Sequence, residues 1–169
     1  EQGRGVGGAI SDDMTAPLPS FRPARPDELK AITSLAKRSK GFWGYSDEFM
    51  AALDEELSFR QADLDDERTR VEVLESEGRI IAALRMRRRT ELAYLEDLWI
   101  DPETIGHGYG RLGFERACEI GREWGKGVME LEADPYAEPF YLHVGCQRVW
   151  MSPVTSVPGR SVPLMRYSL

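Results

Sequence analysis

One stretch decides the fold of this chain: LEDLWIDPETIGHGYGR, over Leu95–Arg111. Its first six residues are mostly apolar and typical of a strand that ends at Ile100. Three alternating glycines then follow, Gly106, Gly108 and Gly110, and a helical pattern begins near Gly108. The stretch therefore predicts a strand, a glycine-rich turn and the beginning of a helix.

This turn is suited to bind a phosphate. The first amides of a helix have no partner inside the helix, and the helix dipole gives them a partial positive charge. Because glycine has no Cβ, an anion can approach the backbone closely. The loop Gly106–Arg111 is therefore predicted to hold a pyrophosphate, and the alternative is a plain tight turn.

The spacing alone leaves the identity of the phosphate ligand open. Gly108-x-Gly110-x-x-Gly113 also matches the dinucleotide fingerprint, with Glu130 and Glu132 near the expected acidic position downstream. In dinucleotide-binding folds, however, the first glycine follows its strand almost at once, and the preceding units alternate strand and helix. A nicotinamide-binding protein is therefore the less favoured interpretation.

The remaining pattern mixes strands with helices, with several hairpins and one crossover, which predicts an α+β domain over residues 20–169. Residues 1–19 are rich in Gly, Ser, Asp and Pro and are predicted to be a flexible extension. The other predicted elements are strands over Ser20–Ala24, Arg70–Leu74, Arg79–Arg87, Leu92–Ile100, Val128–Leu131, Gln147–Met151 and Leu164–Tyr167, and helices beginning at Pro26 and after Ser46 and spanning Gly108–Trp124 and Glu138–Val144.

The composition narrows the class of protein. The chain has 29 acidic and 22 basic residues and a net charge of −7, which disfavours nucleic acid as a partner and suits cationic substrates. No apolar run approaches the roughly 20 residues that cross a bilayer, and no leader pattern opens the chain, so a cytoplasmic protein without a membrane partner is predicted. Two cysteines without a CxxC pattern and two histidines predict no metal site.

The decisive stretch resembles the acetyl-CoA motif of the GNAT superfamily of N-acetyltransferases. A second block, DPYAEPFY over Asp134–Tyr141 followed by Gly145 and Cys146, resembles the last motif of that family. The resemblance covers nearly all of residues 20–169. It implies a mixed, mostly antiparallel sheet of six to seven strands, flanked by about four helices, with the two central strands splayed apart.

The resemblance also implies acetyl-CoA as the cosubstrate. Its pantetheine arm would pair with the backbone of β-strand residues in the gap, as an added strand would, and its pyrophosphate would bind the glycine loop. The chain departs from the family at Ile105, where Gln or Arg is usual, and at Tyr136, where Asn is frequent. The cofactor-binding residues implied are Leu98, Trp99, Ile100, Gly106, His107, Gly108, Tyr109, Gly110, Arg111 and Tyr136.

Transfer of an acetyl group to an amine needs a base for the amine and an acid for the departing thiolate. Tyr141 matches the general acid of the family, and the alternative is an aromatic residue that packs a helix onto the sheet. Glu96 is the candidate base, and the alternative is a salt-bridge residue. Because side chains alternate along a strand, Glu96 and Asp97 are expected to face opposite sides unless a bulge intervenes.

The acceptor is predicted to be an amine on a small molecule or a protein. The resemblance implies that the aromatic loop between the first two helices borders the acceptor site, where the rings of Trp43 and Tyr45 would suit an ammonium or an apolar amine. The alternatives are core packing for Trp43 and a helix staple for Tyr45. A non-catalytic acyl-CoA sensor is the competing function, and a homodimer through the last strand is open.

Two further features are predicted to lie outside the chemistry. Arg85, Arg87, Arg88 and Arg89 surround a hairpin and predict a solvated strand end, with an anion or partner contact as the alternative. Cys118 and Cys146 are predicted to be core residues, since no His–Asp arrangement near Cys146 supports a nucleophile.

Overall fold

The computed structural model describes residues 19–169, so the predicted extension lies outside the described residues except for Pro19. Its strands are β1 (Phe21–Pro23), β2 (Thr69–Ser76), β3 (Arg79–Arg88), β4 (Ala93–Ile100), β5 (Val128–Glu132), β6 (Gln147–Pro153) and β7 (Ser161–Ser168). Its α-helices are α1 (Leu29–Gly41), α2 (Asp47–Ala52), α3 (Gln61–Asp65), α4 (Tyr109–Glu123) and α5 (Glu138–His143). Short 3₁₀ helices precede α1 at Pro26–Glu28 and the glycine loop at Pro102–Thr104.

All seven strands form one sheet in the order β1-β2-β3-β4-β5-β7-β6. Every neighbouring pair is antiparallel except β4 and β5, which run parallel and are joined by α4 as the crossover. This confirms the predicted mixed, mostly antiparallel α+β fold. Residues 19–169 contain five α-helices, of which α3 was not predicted, because its five residues are too few for a helical period to show.

The two central strands splay apart, as expected. β5 is paired with β4 only at Ala93–Met129 and Tyr94–Glu130, whereas it stays paired with β7 from Val128 to Glu132. Beyond Tyr94, β4 therefore pairs with β3 alone, and one of its backbone edges faces a gap.

β4 also contains a bulge at Glu96. Arg85 of β3 lies opposite Asp97, and the next residue, Met86, lies opposite Leu95. Glu96 is thus the extra residue of β4 at this point. A bulge of this kind re-aims the side chains around it and ends the simple alternation along the strand.

Helices cover both faces of the sheet. On one face α1 buries Ile32 and Leu35 against a cluster that includes Val73 of β2. On the other face α4 approaches β4 very closely: a Cβ at Gly113 would lie 2.5 Å from the Leu98 side chain. Glycine at this position therefore allows α4 to begin directly beside the gap. No helix within residues 19–169 has the length and apolarity needed to span a membrane.

Candidate active site

The glycine loop adopts a backbone that only glycine tolerates well. Gly106 and Gly108 have φ angles of 92° and 80°, in the left-handed region. A Cβ built at either position would meet no atom within 4 Å, so no packing contact explains these glycines. Backbone conformation requires them, and the space beside the loop is open to a ligand.

The backbone amides of this loop are free. Within the described part of the chain, the N–H groups of residues 106–111 donate no hydrogen bond, and Gly108 caps α4 without a side-chain contact. The first amide that the helix uses is that of Leu112, which donates to the carbonyl of Gly108 at 3.1 Å. Unpaired amides at the positive end of a 15-residue helix form a site for an anion.

Asp101 stabilises the turn that precedes the glycine loop. Its carboxylate is buried and accepts from the amide of Glu103 at 3.0 Å, while its carbonyl accepts from the Thr104 hydroxyl at 2.8 Å. Arg79 and Arg38 lie 3.2 and 3.5 Å from its Oδ2. Asp101 was not among the predicted site residues, although Asp before Pro is a usual start of a helical turn.

The side chains of the loop lie at the surface. His107 is exposed, and its Nδ1 lies 2.9 Å from the carbonyl oxygen of Thr104 while its ring stacks on Tyr109. Arg111 and Ile105 are exposed as well. The loop therefore presents its backbone together with one imidazole and one guanidinium.

The backbone of Leu98, Trp99 and Ile100 forms the edge of β4 that faces the gap. The Leu98 side chain packs against α4, and Trp99 packs with the α1 cluster on the other face. The side chains thus leave the strand edge itself uncovered. An unpaired edge of this kind can accept an extended ligand that carries amide groups.

The bulge brings two carboxylates to one side of β4. Nε of Arg85 lies 2.6 Å from Asp97 and 3.7 Å from Glu96, and Glu96 also pairs with Arg87. Asp97 is buried, and this burial raises the pKa of its carboxyl to about 6, although Arg85 acts in the opposite direction. The Glu96 side chain is 31% exposed and is the accessible one of the two.

The prediction of a solvated arginine cluster is wrong for Arg85, which is buried. It is 5% exposed and donates to the carbonyl oxygens of Glu56 and Ser58, both at 3.2 Å, and to Asp63 at 3.1 Å. The cause is its position in the middle of a central strand, where helices cover the sheet. Only Arg87, Arg88 and Arg89 of the predicted cluster reach the strand end.

Tyr141 lies at the centre of α5 with its ring in the core. It is 8% exposed and packs edge-on against Phe114 and Phe140. Among residues 19–169 its hydroxyl has no hydrogen-bond partner. Burial raises the pKa of this hydroxyl above its ordinary value, and the negative charge of Asp97 acts in the same direction. The hydroxyl is therefore protonated at neutral pH.

Both cysteines are buried and free, which confirms the prediction that they are core residues. Burial raises the pKa of Cys118 to about 11 and that of Cys146 to about 12. Neither thiol is therefore ionised at neutral pH. Because the thiolate is the nucleophilic form of cysteine, neither residue is suited to act as a nucleophile. Within the described residues, no group of three or more His, Cys, Asp or Glu side chains is arranged to hold a metal ion.

An aromatic cluster lies where α1 meets the end of β5. The Trp43 ring stacks on Tyr136 with centroids 5.1 Å apart, and the two residues are 40% and 55% exposed. Core packing is therefore the wrong interpretation of Trp43. Tyr45 stacks on Phe49 at 4.3 Å and so packs against the first turn of α2.

Asp134 ties this cluster to three other segments. It accepts from the ammonium of Lys40 at 2.5 Å and from the hydroxyl of Tyr45 at 2.7 Å, and Arg160 lies 3.7 Å away. Burial disfavours the charged form of Asp134, but Lys40 and Tyr45 outweigh it and lower the pKa of the carboxyl. Burial raises the pKa of Tyr45 to about 12. These contacts join residues far apart in sequence, so no local signal predicted them.

Comparisons with known proteins agree with this geometry. The family model described as "Acetyltransferase (GNAT) family" matches residues 29–146. No curated protein sequence matches the chain.

Solved structures show the same fold. The PaiA N-acetyltransferase from Thermoplasma acidophilum in complex with coenzyme A superposes with a TM-score of 0.72 at 14% identity, over 89% of this chain and 99% of that one. The ribosomal-protein-S18-alanine N-acetyltransferase from Escherichia coli gives 0.65 at 19% identity, over 89% and 94%. The yncA protein from Salmonella typhimurium with acetyl-CoA gives 0.63 at 18%, over 89% and 93%.

Proposed function

The chain belongs to the acetyltransferase (GNAT) family, and from this premise we propose that it transfers an acetyl group from acetyl-CoA to a primary amine by direct attack on the thioester. One observation carries the proposal. The unpaired amides of residues 106–111 adjoin the end of β4, whose edge beyond Tyr94 is unpaired too. A diphosphate followed by an extended arm with amides matches these two features in order.

The residues present fit this cosubstrate. The amides of the glycine loop would hold the pyrophosphate, with His107 and Arg111 beside it, and the backbone of residues 98–100 would hold the pantetheine. The PaiA N-acetyltransferase structure contains coenzyme A, and the yncA structure contains acetyl-CoA. When bound, acetyl-CoA supplies the activated acyl group and a thiol leaving group.

Two side chains of the protein would each carry out one of the two proton transfers. Glu96 would accept the proton that the attacking amine loses, directly or through a water molecule. Tyr141 would donate its hydroxyl proton to the departing sulfur. A backbone N–H of Trp99 or Ile100 would stabilise the negative charge that develops on the carbonyl oxygen.

Trp43, Tyr45 and Tyr136 would form the wall of the acceptor site. The exposed faces of the stacked Trp43 and Tyr136 rings suit an ammonium or an apolar amine. Tyr136 stays predicted as a cofactor contact, and its stacking on Trp43 is the reason to propose it for the acceptor wall as well. The amine belongs to a small molecule or to a protein. A cytoplasmic location and a homodimer stay predictions.

Calorimetric titration of coenzyme A tests the glycine loop. Gly108→Val should abolish detectable binding, because the new side chain fills the open space of the loop. Gly78→Val is the matched control, since Gly78 has a similar φ of 74° and equally open surroundings in the β2–β3 turn. Equal affinity in a folded Gly108→Val protein would reject the placement.

A panel of amines and peptides, assayed by release of coenzyme A, then tests the activity. Turnover with at least one amine supports the proposal. Tight binding of acetyl-CoA with no turnover across the panel would instead favour the non-catalytic acyl-CoA sensor. Stabilisation by NAD but not by acetyl-CoA would favour a nicotinamide-binding protein.

A further inference from the structure

A strongly basic pocket lies at the amino-terminal end of β4, whereas the glycine loop follows its carboxyl-terminal end. The cavity has a volume of about 580 Å³. Its basic lining residues come from the segment before β2, from the β3–β4 hairpin and from the α4–β5 connection: Arg68, Arg87, Arg88, Arg89 and Lys126. In the described part of the chain, Asp66 is the one acidic residue of the lining.

Most of these cations lack an anionic partner. Arg87 pairs with Asp63, Asp66 and Glu96. Over residues 19–169 no carboxylate lies within 4 Å of the charged groups of the other four basic residues. This is unexpected in a chain with a net charge of −7, because an acidic surface offers many partners. The pocket therefore concentrates positive charge that the protein leaves uncompensated.

Two of these side chains are held in place by uncharged contacts. Lys126 donates its ammonium to the carbonyl oxygen of Thr90 at 2.9 Å, which fixes the α4–β5 connection against the hairpin. The Arg89 guanidinium lies over the Tyr94 ring, 3.6 Å from its centroid. Both contacts position a cation without neutralising it. Because Lys126 and Arg89 are already held in place, they lose little conformational entropy when a ligand binds.

We propose that this pocket binds a small anion that carries a phosphate chain. Four arginines line this one pocket, and guanidinium groups match phosphate oxygens, which accept paired N–H donors. The pocket is open to solvent, and its volume is comparable to that of small-ligand sites. Nucleoside triphosphates and inorganic polyphosphate share this chemistry, and the site is separate from the glycine loop.

Calorimetric titration of tripolyphosphate at constant ionic strength tests the site. Arg68→Gln/Arg88→Gln should weaken binding about tenfold or more, since each charge-assisted contact contributes strongly to affinity. Lys30→Gln/Lys37→Gln removes the same charge from exposed positions on α1 and should change the affinity less than about twofold. Arg87 is left intact because it contacts Glu96, the proposed base.

The outcomes separate the alternatives. Loss of binding in the pocket variant alone supports the site, and a parallel titration of ATP then shows whether a nucleoside adds affinity. Equal affinity in all three proteins, or no binding by the wild type, overturns it. Loss of binding in Gly108→Val but not in the pocket variant assigns the phosphate to the glycine loop and also overturns it. Binding of long nucleic acid without tripolyphosphate rejects a small anion.

Discussion

Arg85 Nε lies 2.6 Å from Asp97 Oδ2, and this buried pair stands where the bulge interrupts the pairing of β3 with β4. The same guanidinium also donates hydrogen bonds to the backbone carbonyl oxygens of Glu56 and Ser58. The pair therefore fixes the segment between α2 and α3 to β4. It leaves Glu96, the extra residue of the bulge, as the accessible carboxylate.

Glu96→Gln tests whether this carboxylate is the base. We expect kcat to fall about 100-fold with unchanged affinity for coenzyme A, because the amide cannot accept a proton. The control is Glu103→Gln, which removes an exposed carboxylate that also pairs with an arginine. Steady-state kinetics and calorimetry give the two numbers. Unchanged kcat with a verified amine would move the base to Asp97 or to water.

Tyr141→Phe tests the proposed acid. The phenyl ring keeps the contacts with Phe114 and Phe140, so the fold and the affinity for coenzyme A should be retained. We expect kcat to fall about 100- to 1,000-fold, because the thiolate would leave without a proton. Tyr167→Phe is the control, since Tyr167 packs edge-on against the same Phe114. A fall of equal size in both variants would indicate a packing effect.

Trp43→Ala tests the acceptor wall. Loss of one cation–π contact should raise KM for the amine about 3- to 30-fold while the affinity for coenzyme A is retained. Trp150→Ala is the control, because Trp150 is 66% exposed on β6 and is not part of the cluster. An unchanged KM, or an equal rise in both variants, would contradict a role for Trp43 in amine binding.

Local patterns predicted most of the fold. The helix expected over Gly108–Trp124 is Tyr109–Glu123, and Ser46 caps α2 by accepting from the amide of Phe49 at 3.1 Å. Periodicity and capping depend on neighbouring residues, which a sequence displays directly. The glycine loop was predictable for the same reason.

Features that depend on strand pairing or on contacts between distant residues were harder to predict from the sequence. The bulge at Glu96 follows from the register of two strands, and register is not visible in the β4 sequence alone. The burial of Arg85 depends on Asp97 and on carbonyl groups about thirty residues earlier. The contact between Lys40 and Asp134 spans 94 positions. None of these has a local signature.

The ion pair between Arg22 and Glu28 makes the stability of the fold depend on pH. Arg22 binds both carboxylate oxygens of Glu28, at 2.9 and 2.8 Å, and this hydrogen bonding lowers the pKa of Glu28 from 4.5 to about 2, although burial opposes it. A carboxyl whose pKa is lower in the folded state stabilises the fold above its unfolded pKa. That contribution is lost as the pH falls from about 4.5 toward about 2.

Glu28→Gln should therefore lower the free energy of unfolding by about 1–3 kcal/mol at pH 7. The difference from the wild type should shrink as the pH falls through that window, because the wild-type carboxyl becomes protonated and uncharged like the amide. Denaturant unfolding at a series of pH values measures it. Asp27→Asn, at the exposed neighbouring position, should change stability by less than about 0.5 kcal/mol. A difference that stays constant down to pH 2 would mean that Glu28 acts through packing and not through its charge.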